Sequence, residues 1–342
     1  MELAMPVVWS DRCLLHDPGR EIWVGLPTEA TEVPARADRI LDTLARPDLL
    51  LAEAHGDEVL KTVHDEGLLR YLQSAWEEWQ ASGLPEDPGQ SRVVPYIFAH
   101  PGLGGPLVEP TAVWAKPGFF AYDTMTLVGE GTWEAARAAV DVALTAADLV
   151  REGEPVAYAC TRPPGHHACY AAYGGSCYLN NAACAATALG LGRVAVLDID
   201  AHQGNGTQQI FAGHSDVIVG SVHVDPRAGW FPHFLGFAHG LGAKNIPLAP
   251  GTGDEGWLEA IHSLVRWARE SRAQGLVVSL GVDAAAGDPE SPLEVTPEGY
   301  REAGAILGGL GLPTVIVQEG GYDLETIGLL VLETLLGFES AQ

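Results

Sequence analysis

From residue 156 onward the chain alternates short apolar runs with helical patterns, and few folds accept that order. The runs are VAYAC (156–160), RVAVLDID (193–200), DVIVGSVHV (216–224), GLVVSLGVD (275–283) and PTVIVQEGG (313–321). Helical patterns occupy 180–192, 254–271, 296–311 and 325–337. Nearly continuous apolar strands separated by helices indicate a parallel sheet covered on both faces. The expected class is therefore α/β, a three-layer α/β/α arrangement around a central, mostly parallel multi-stranded sheet. In such sheets ligands sit beyond the carboxyl ends of the strands, so the residues after each run are the ones to inspect.

Upstream, helical periodicity runs over 32–45 and 65–83, with Gly83 as a stop, and over 131–153, with Thr132 as its cap. Between them, about 85–118 is dense in proline and glycine and keeps no period. A loop that long in a compact protein is usually functional. Residues 1–342 read as one catalytic domain carrying this loop.

Composition narrows the function. A formal net charge of −26 argues against a nucleic-acid partner and favours encounter with cationic or neutral small molecules, although an acidic surface also serves solubility. No run of 18 apolar residues occurs, so no membrane span is expected. The start, MELAMPVVWSDRC, lacks a basic segment leading into an apolar one, and the five cysteines form no CxxC pair. Both features point to a reduced, cytoplasmic protein.

Polar residues gather at the ends of the runs. Residues two apart on a strand share a face, so Asp198, Asp200 and His202 are expected to line up at one strand's exit. Asp283, Tyr322 and the pair His166 and His167 follow other runs in the same way. Asp200, His202 and Asp283 offer two carboxylates and an imidazole, a set that suits Zn²⁺ and also Fe²⁺, Co²⁺ or Mn²⁺. A metal there can activate water. The adjacent histidines, expected to point apart on extended chain, suit proton transfer; Asp198 and Asn205 could orient their rings. Tyr322 could donate to a developing oxyanion. Each of these motifs alone more often forms caps, turns or surface; their joint occurrence at strand ends favours a site.

The pieces RPPGHHA, GGSCYLNNAA, LDIDAHQGNGTQQIF, SLGVDAAAGDP and EGGYDLETIG resemble the histone deacetylase superfamily, which shares the arginase-like α/β fold. VHDEGLLRYL, GTWEAARAAVDVALTAADLV and FPHFLG (231–236) extend the resemblance, which is greatest to bacterial acetylpolyamine amidohydrolases and class II-like deacetylases. It implies a zinc-dependent deacylase acting on an acylated amine or acyl-lysine, with hydrolysis of another small amide as the alternative. Asp200, His202 and Asp283 match the metal ligands, His166 and His167 the tandem histidines with His167 as base, and Tyr322 the carbonyl-polarising tyrosine. Gly175 matches a substrate-binding carbonyl and Phe231 a tunnel wall. Asp198, Asp200, His202, Ser221 and Val222 match a structural potassium site. A homodimer or larger homo-oligomer is implied as well. Related ureohydrolases also carry DAH, but their two-metal sites need carboxylates where this chain has Gly204 and Ala285. A catalytically silent relative would have lost a ligand, a tandem histidine or the tyrosine, and none is lost.

The chain departs from the family pattern at three places. Gln203 replaces a usual histidine and is expected to pack behind the site. Ser176 replaces an aromatic wall facing Phe231, which implies a wider or more polar tunnel unless Trp230 or Tyr122 fills the gap. Trp114 stands where the polyamine branch presents an acid to a distal ammonium, with Glu109 nearby as a substitute; Trp114 is expected either to stack on a substrate or to be buried in a subunit contact.

Overall fold

The computed structural model describes residues 3–45, 48–86, 90–233 and 242–342. The chain contributes β1 (Val7–Trp9), β2 (Arg20–Trp23), β3 (Leu26–Glu29), β4 (Leu50–Leu51), β5 (Val156–Ala159), β6 (Val194–Asp198), β7 (Val217–Val224), β8 (Ala243–Leu248), β9 (Gly275–Leu280) and β10 (Thr314–Gln318). Eight of these form one sheet in the order β4-β1-β5-β10-β9-β6-β7-β8, and every pairing in it is parallel. Strands β5, β6, β7, β9 and β10 are buried at every residue, which is why they read as unbroken apolar runs.

Helices cover the sheet as two sets. One contains Glu58–Val63, Thr132–Glu152 and Asn181–Leu189; the other contains Ala35–Leu44, Asp254–Glu270, Pro297–Gly308 and Ile327–Glu339. The alanine-rich face of Thr132–Glu152 lets that helix lie close to β1, β5 and β10. Thr132 does not cap it. Gly131 occupies the cap position, and the Thr132 hydroxyl instead accepts from Gly129 N–H at 2.9 Å and meets His16 Nδ1 at 3.0 Å. The helix Glu66–Ala81 begins at Asp65, whose carboxylate accepts from the Gly67 and Leu68 amides. It ends before Gly83, which adopts a φ of 80°.

The hairpin β2–β3 stands apart from the main sheet, with Val24 and Gly25 at its tip. Within the Pro/Gly-rich loop the structure places a short turn of helix at Pro101–Leu103 and another at Pro117–Phe120. No helix among the described residues is long and apolar enough to cross a membrane.

The order of strands sets the site. The chain passes from β5 to β6 across two vacant places, builds outward to β8, then returns to fill those places with β9 and β10. Four neighbouring strands, β5, β10, β9 and β6, thus present their carboxyl ends side by side. Their registers are level, with Asp198 opposite Ser279 and Gln318 opposite Leu280.

Candidate active site

The loop after β6 carries Asp200 and His202 beyond the strand, which ends at Asp198. Strand alternation is therefore not what aligns them. Asp198 Oδ1 accepts from Asp200 N–H at 3.1 Å, and Asp200 Oδ1 accepts from His202 N–H at 2.8 Å. The spacing of two is that of carboxylates bonding to backbone two residues on, a turn-forming habit of aspartate.

Asp283, after β9, completes the cluster. Asp200 Oδ2 accepts from Gly320 N–H, and Asp283 Oδ1 from Ala201 N–H, both at 2.8 Å. Asp200 Oδ1, which also accepts from His202 N–H, and Asp283 Oδ2 lie 3.1 and 3.0 Å from His202 Nδ1. His202 Nε2 faces the Glu290 carbonyl at 3.0 Å, so its proton belongs there and Nδ1 is the free ligand atom. All three side chains are buried. Burial opposes charge on His202, yet the two carboxylates hold its proton far above the ordinary range. Burial and the nearby Asp200 raise Asp283 to about 7, while His166 and His202 overcome burial to keep Asp200 ionised. The three donor atoms lie within 4.8 Å of one another, and this O₂N set fits Zn²⁺ or a similar divalent ion. Glycines keep it compact: a Cβ at Gly281 would sit 2.1 Å from Asp200 Oδ2, and one at Gly320 2.4 Å from Asp283 Oδ2. A Cβ at Gly204 would come within 2.2 Å of Asp198 Oδ2, so no second bridging carboxylate fits there.

His166 and His167, after β5, do not point apart. They lie in a turn with ring centroids 4.0 Å apart, and their Nδ1 atoms take different partners: Asp198 Oδ2 at 2.9 Å and Asn205 Oδ1 at 2.6 Å. Burial would lower His166, but Asp200 and Asp198 outweigh it and lift its pKa to about 10. Burial, His166 and His202 push His167 well below its usual range. The two imidazoles are thus shifted in opposite directions, one toward holding a proton and the other toward accepting one.

Tyr322, after β10, lines the same cavity of about 510 Å³ as His167, His202, Gly175, Ser176 and Phe231. Arg36 lies 4.6 Å above its ring and donates to the Gly321 and Glu319 carbonyls. Sequence reading missed Arg36, although an arginine in the buried 36, 40, 44 register of an otherwise apolar helix face was a signal. Gly175 has a φ of 59°, and a Cβ there would approach His167 Cδ2 to 2.4 Å, so the backbone passes close beneath the cavity. Ser176 follows with a φ of 61°. Trp230 lines the cavity, whereas Tyr122 stacks on Phe231 at 6.1 Å and donates its hydroxyl to the His167 carbonyl.

Gln203 turns behind the site, donating to Gln208 Oε1 and Asn245 Oδ1. Ser221 and Val222 lie within β7, with Ser221 directly across from Asp198. Trp114 is 52% exposed and Glu109 is exposed; within this chain neither lines the cavity. In FPHFLG, Phe234, Leu235 and Gly236 lie outside the described residues.

The mouth is acidic. Glu21 and Glu29 from the hairpin and Glu290 from the β9 loop border it. Burial, Glu290, Asp123 and Glu32 raise Glu21 to about 8. No spacing in the sequence joins these acids, since the hairpin brings two of them from the far N-terminal region.

Residues 30–337 match the histone deacetylase domain model. The chain is 38% identical over 348 residues to acetylpolyamine amidohydrolase 2 of Pseudomonas aeruginosa, covering 98% of this chain and 99% of the relative. It is 36% identical to an acetylpolyamine amidohydrolase of Mycoplana ramosa, covering 97% and 99%. The crystal structure of an acetylpolyamine aminohydrolase from Burkholderia pseudomallei superposes with a TM-score of 0.91 at 37% identity, covering 99% of each chain. With this fold and these matches across nearly its whole length, the chain belongs to the histone deacetylase superfamily, in its acetylpolyamine amidohydrolase-like part.

Proposed function

We propose that this chain is a zinc-dependent amide hydrolase that removes an acyl group, in the first instance acetyl, from a cationic amine such as an acetylpolyamine. The observation that carries the choice of substrate is the acidic mouth: Glu290 and Glu29, the latter paired with Arg20 at 3.1 Å, border a cavity that reaches His202 and Tyr322, with Glu21 beside them as an acid whose charge forms as pH rises toward 8. An ammonium group beyond the scissile amide would be drawn to that rim. The names of the full-length relatives support the same class.

Asp200, His202 and Asp283 would hold the divalent ion, which supplies Lewis acidity toward an amide carbonyl and toward water. The chain's own groups divide the remaining work. His167, kept neutral, accepts the proton of the attacking water. His166, whose Nδ1 is held by the Asp198 carboxylate, donates to the departing amine. Tyr322 donates its phenol proton to the acyl oxygen as charge develops there. Asn205 and Asp198 fix the two imidazole rings so that no reorientation is needed. The Gly175 backbone and Phe231 hold the amide in the channel.

Residues 1–342 act in this reading as one catalytic domain, supported by the continuous family match. Potassium beside the site would be held by Asp198, Asp200, His202, Ser221 and Val222. The exposed Trp23, Val24 and Leu26 of the hairpin, with Leu103, Leu107, Val108 and Trp114 of the long loop, support a homo-oligomer.

The test is a substrate panel on protein of defined zinc content. It compares acetylputrescine and acetylspermidine with acyl-lysine peptides, small anilides and a neutral alkyl acetamide. The cationic amides are expected to have the highest kcat/KM. Equal turnover of the neutral acetamide would overturn the substrate assignment, and turnover indifferent to chelation would overturn the metal.

A further inference from the structure

Asp288 is buried and makes no contact with the cavity, yet it joins two of the loops that build it. Its Oδ2 accepts from Tyr322 N–H at 2.8 Å and from Asp323 N–H at 3.3 Å. Its Oδ1 accepts from Glu290 N–H at 2.9 Å, and the Glu290 carbonyl in turn faces His202 Nε2 at 3.0 Å. Upstream, Val282 N–H donates to the Gly320 carbonyl; beyond that point no backbone hydrogen bond links these two loops among the described residues. One carboxylate therefore ties the tyrosine's own peptide to the carbonyl that orients His202. Such side-chain ties to a turn fix where a functional group points, and an ångström of displacement can cost about 10²-fold in rate.

We propose that Asp288 is a positioning residue that sets Tyr322 and the Glu290 carbonyl together, coupling the placement of the phenol to the orientation of His202. The proposal rests on the hydrolase reading above, and its test separates the two. Asp288→Asn keeps the size but presents one amide group to donors that need a carboxylate. It is expected to lower kcat by about 30- to 100-fold with little change in KM, and to weaken zinc binding, measured by chelator competition, by about 10-fold.

In a Tyr322→Phe background the same substitution is expected to cost under about 3-fold in kcat, because the group it positions is already gone. A merely structural role would lower both backgrounds by the same factor, and that result would overturn the proposal. So would unchanged kcat and zinc affinity. Should Asp288→Asn fail to fold, Asp288→Glu, which keeps the charge on a longer arm, enters the same cycle with the same criteria. A wild-type protein inactive on every amide would refute the hydrolase reading alone. The zinc measurement would then still decide the link through Glu290 to His202.

Discussion

His166 Nδ1 lies 2.9 Å from the Asp198 carboxylate, while its neighbour His167 turns the same atom to the neutral amide of Asn205. Asp200 and Asp198 favour the proton on His166 against burial, whereas burial and the neighbouring His166 and His202 disfavour it on His167. If His166 is the acid, its charged form is what the reaction needs on the alkaline side. Asp198→Asn removes one of the two carboxylates that raise it. The alkaline limb of the kcat profile is then expected to move to lower pH by about one unit. His167→Ala should cost about 10²–10⁴-fold in kcat across the range. A pH–rate series at fixed zinc content checks both, and an unmoved alkaline limb would remove His166 from the acid's role.

The acidic mouth gives a second pH dependence of opposite use. Glu21 is largely neutral below about 8 because burial and Glu290 disfavour its charge. As pH rises through 8 its carboxylate forms, so KM for a cationic acetylpolyamine is expected to fall by about 3- to 5-fold. KM for a neutral acetamide should stay level. Glu21→Gln is expected to abolish the trend, and Glu290→Gln to move it to lower pH by removing a repelling charge. Parallel KM curves for cationic and neutral substrates would show that Glu21 does not read the substrate's charge.

Ser176 shares the cavity wall with Phe231 and Met125, and Tyr122 lies against Phe231 without lining the channel. Trp230 lines the same cavity, so the ring that borders the serine's side is an indole and not a residue at position 176 itself. Ser176→Phe is expected to reduce kcat/KM for longer acyl groups by about 10-fold or more, through overpacking, while sparing acetyl. Its left-handed backbone makes a thermal melt the necessary control. A strict acetyl preference in wild type, unchanged in the variant, would show that Ser176 does not set acyl length.

Much of this architecture was legible because buried parallel strands need unbroken apolar runs: β5, β6, β7, β9 and β10 were all marked by them. The edge strands were not. β8 reads AKNIPL and is only half buried, and β4 has two exposed residues. The hairpin carries no Asn-Gly signal; its tip puts Val24 at a φ of 46°, an uncommon choice for a β-branched residue. At the site, residue types and their order pointed to the cluster, but the reasons were partly different. Asp200 and His202 converge through turn hydrogen bonds past the strand end. Residues that act at a distance in sequence, Arg36, Glu21, Glu290 and Asp288, carry no local periodicity that relates them to the cavity.

Gln203 shows a side chain whose neighbours matter more than its type. Its amide donates to Gln208 and Asn245, away from the Asp200–His202–Asp283 cluster. Gln203→His is expected to leave zinc stoichiometry and affinity unchanged within about 3-fold, since the ring would face the same polar pocket. Metal analysis with chelator competition checks this; a large gain in affinity would place the side chain at the metal instead.

His64 predicts how the fold meets acid. It is fully buried; its Nε2 accepts from Asn180 N–H at 2.8 Å, so its Nδ1 carries the proton shared with the Cys169 carbonyl at 3.0 Å. Protonating Nε2 would turn an acceptor into a donor facing a donor, at the cap of the helix Asn181–Leu189. Burial lowers His64 to about 4, and His16 likewise, against about 6.5 when unfolded. Below 6.5 the unfolded chain takes up these protons and the folded one does not. The contribution of these two histidines to stability is therefore whole above 6.5 and falls as pH drops toward 4, by about 1.4 kcal/mol per pH unit for each within that window. Denaturant titrations from pH 7.5 to 4.5 of the wild type and of His64→Gln, which cannot titrate, should differ in slope by about one histidine's share. An identical slope in the variant would show that His64 takes no part in the acid sensitivity of the fold.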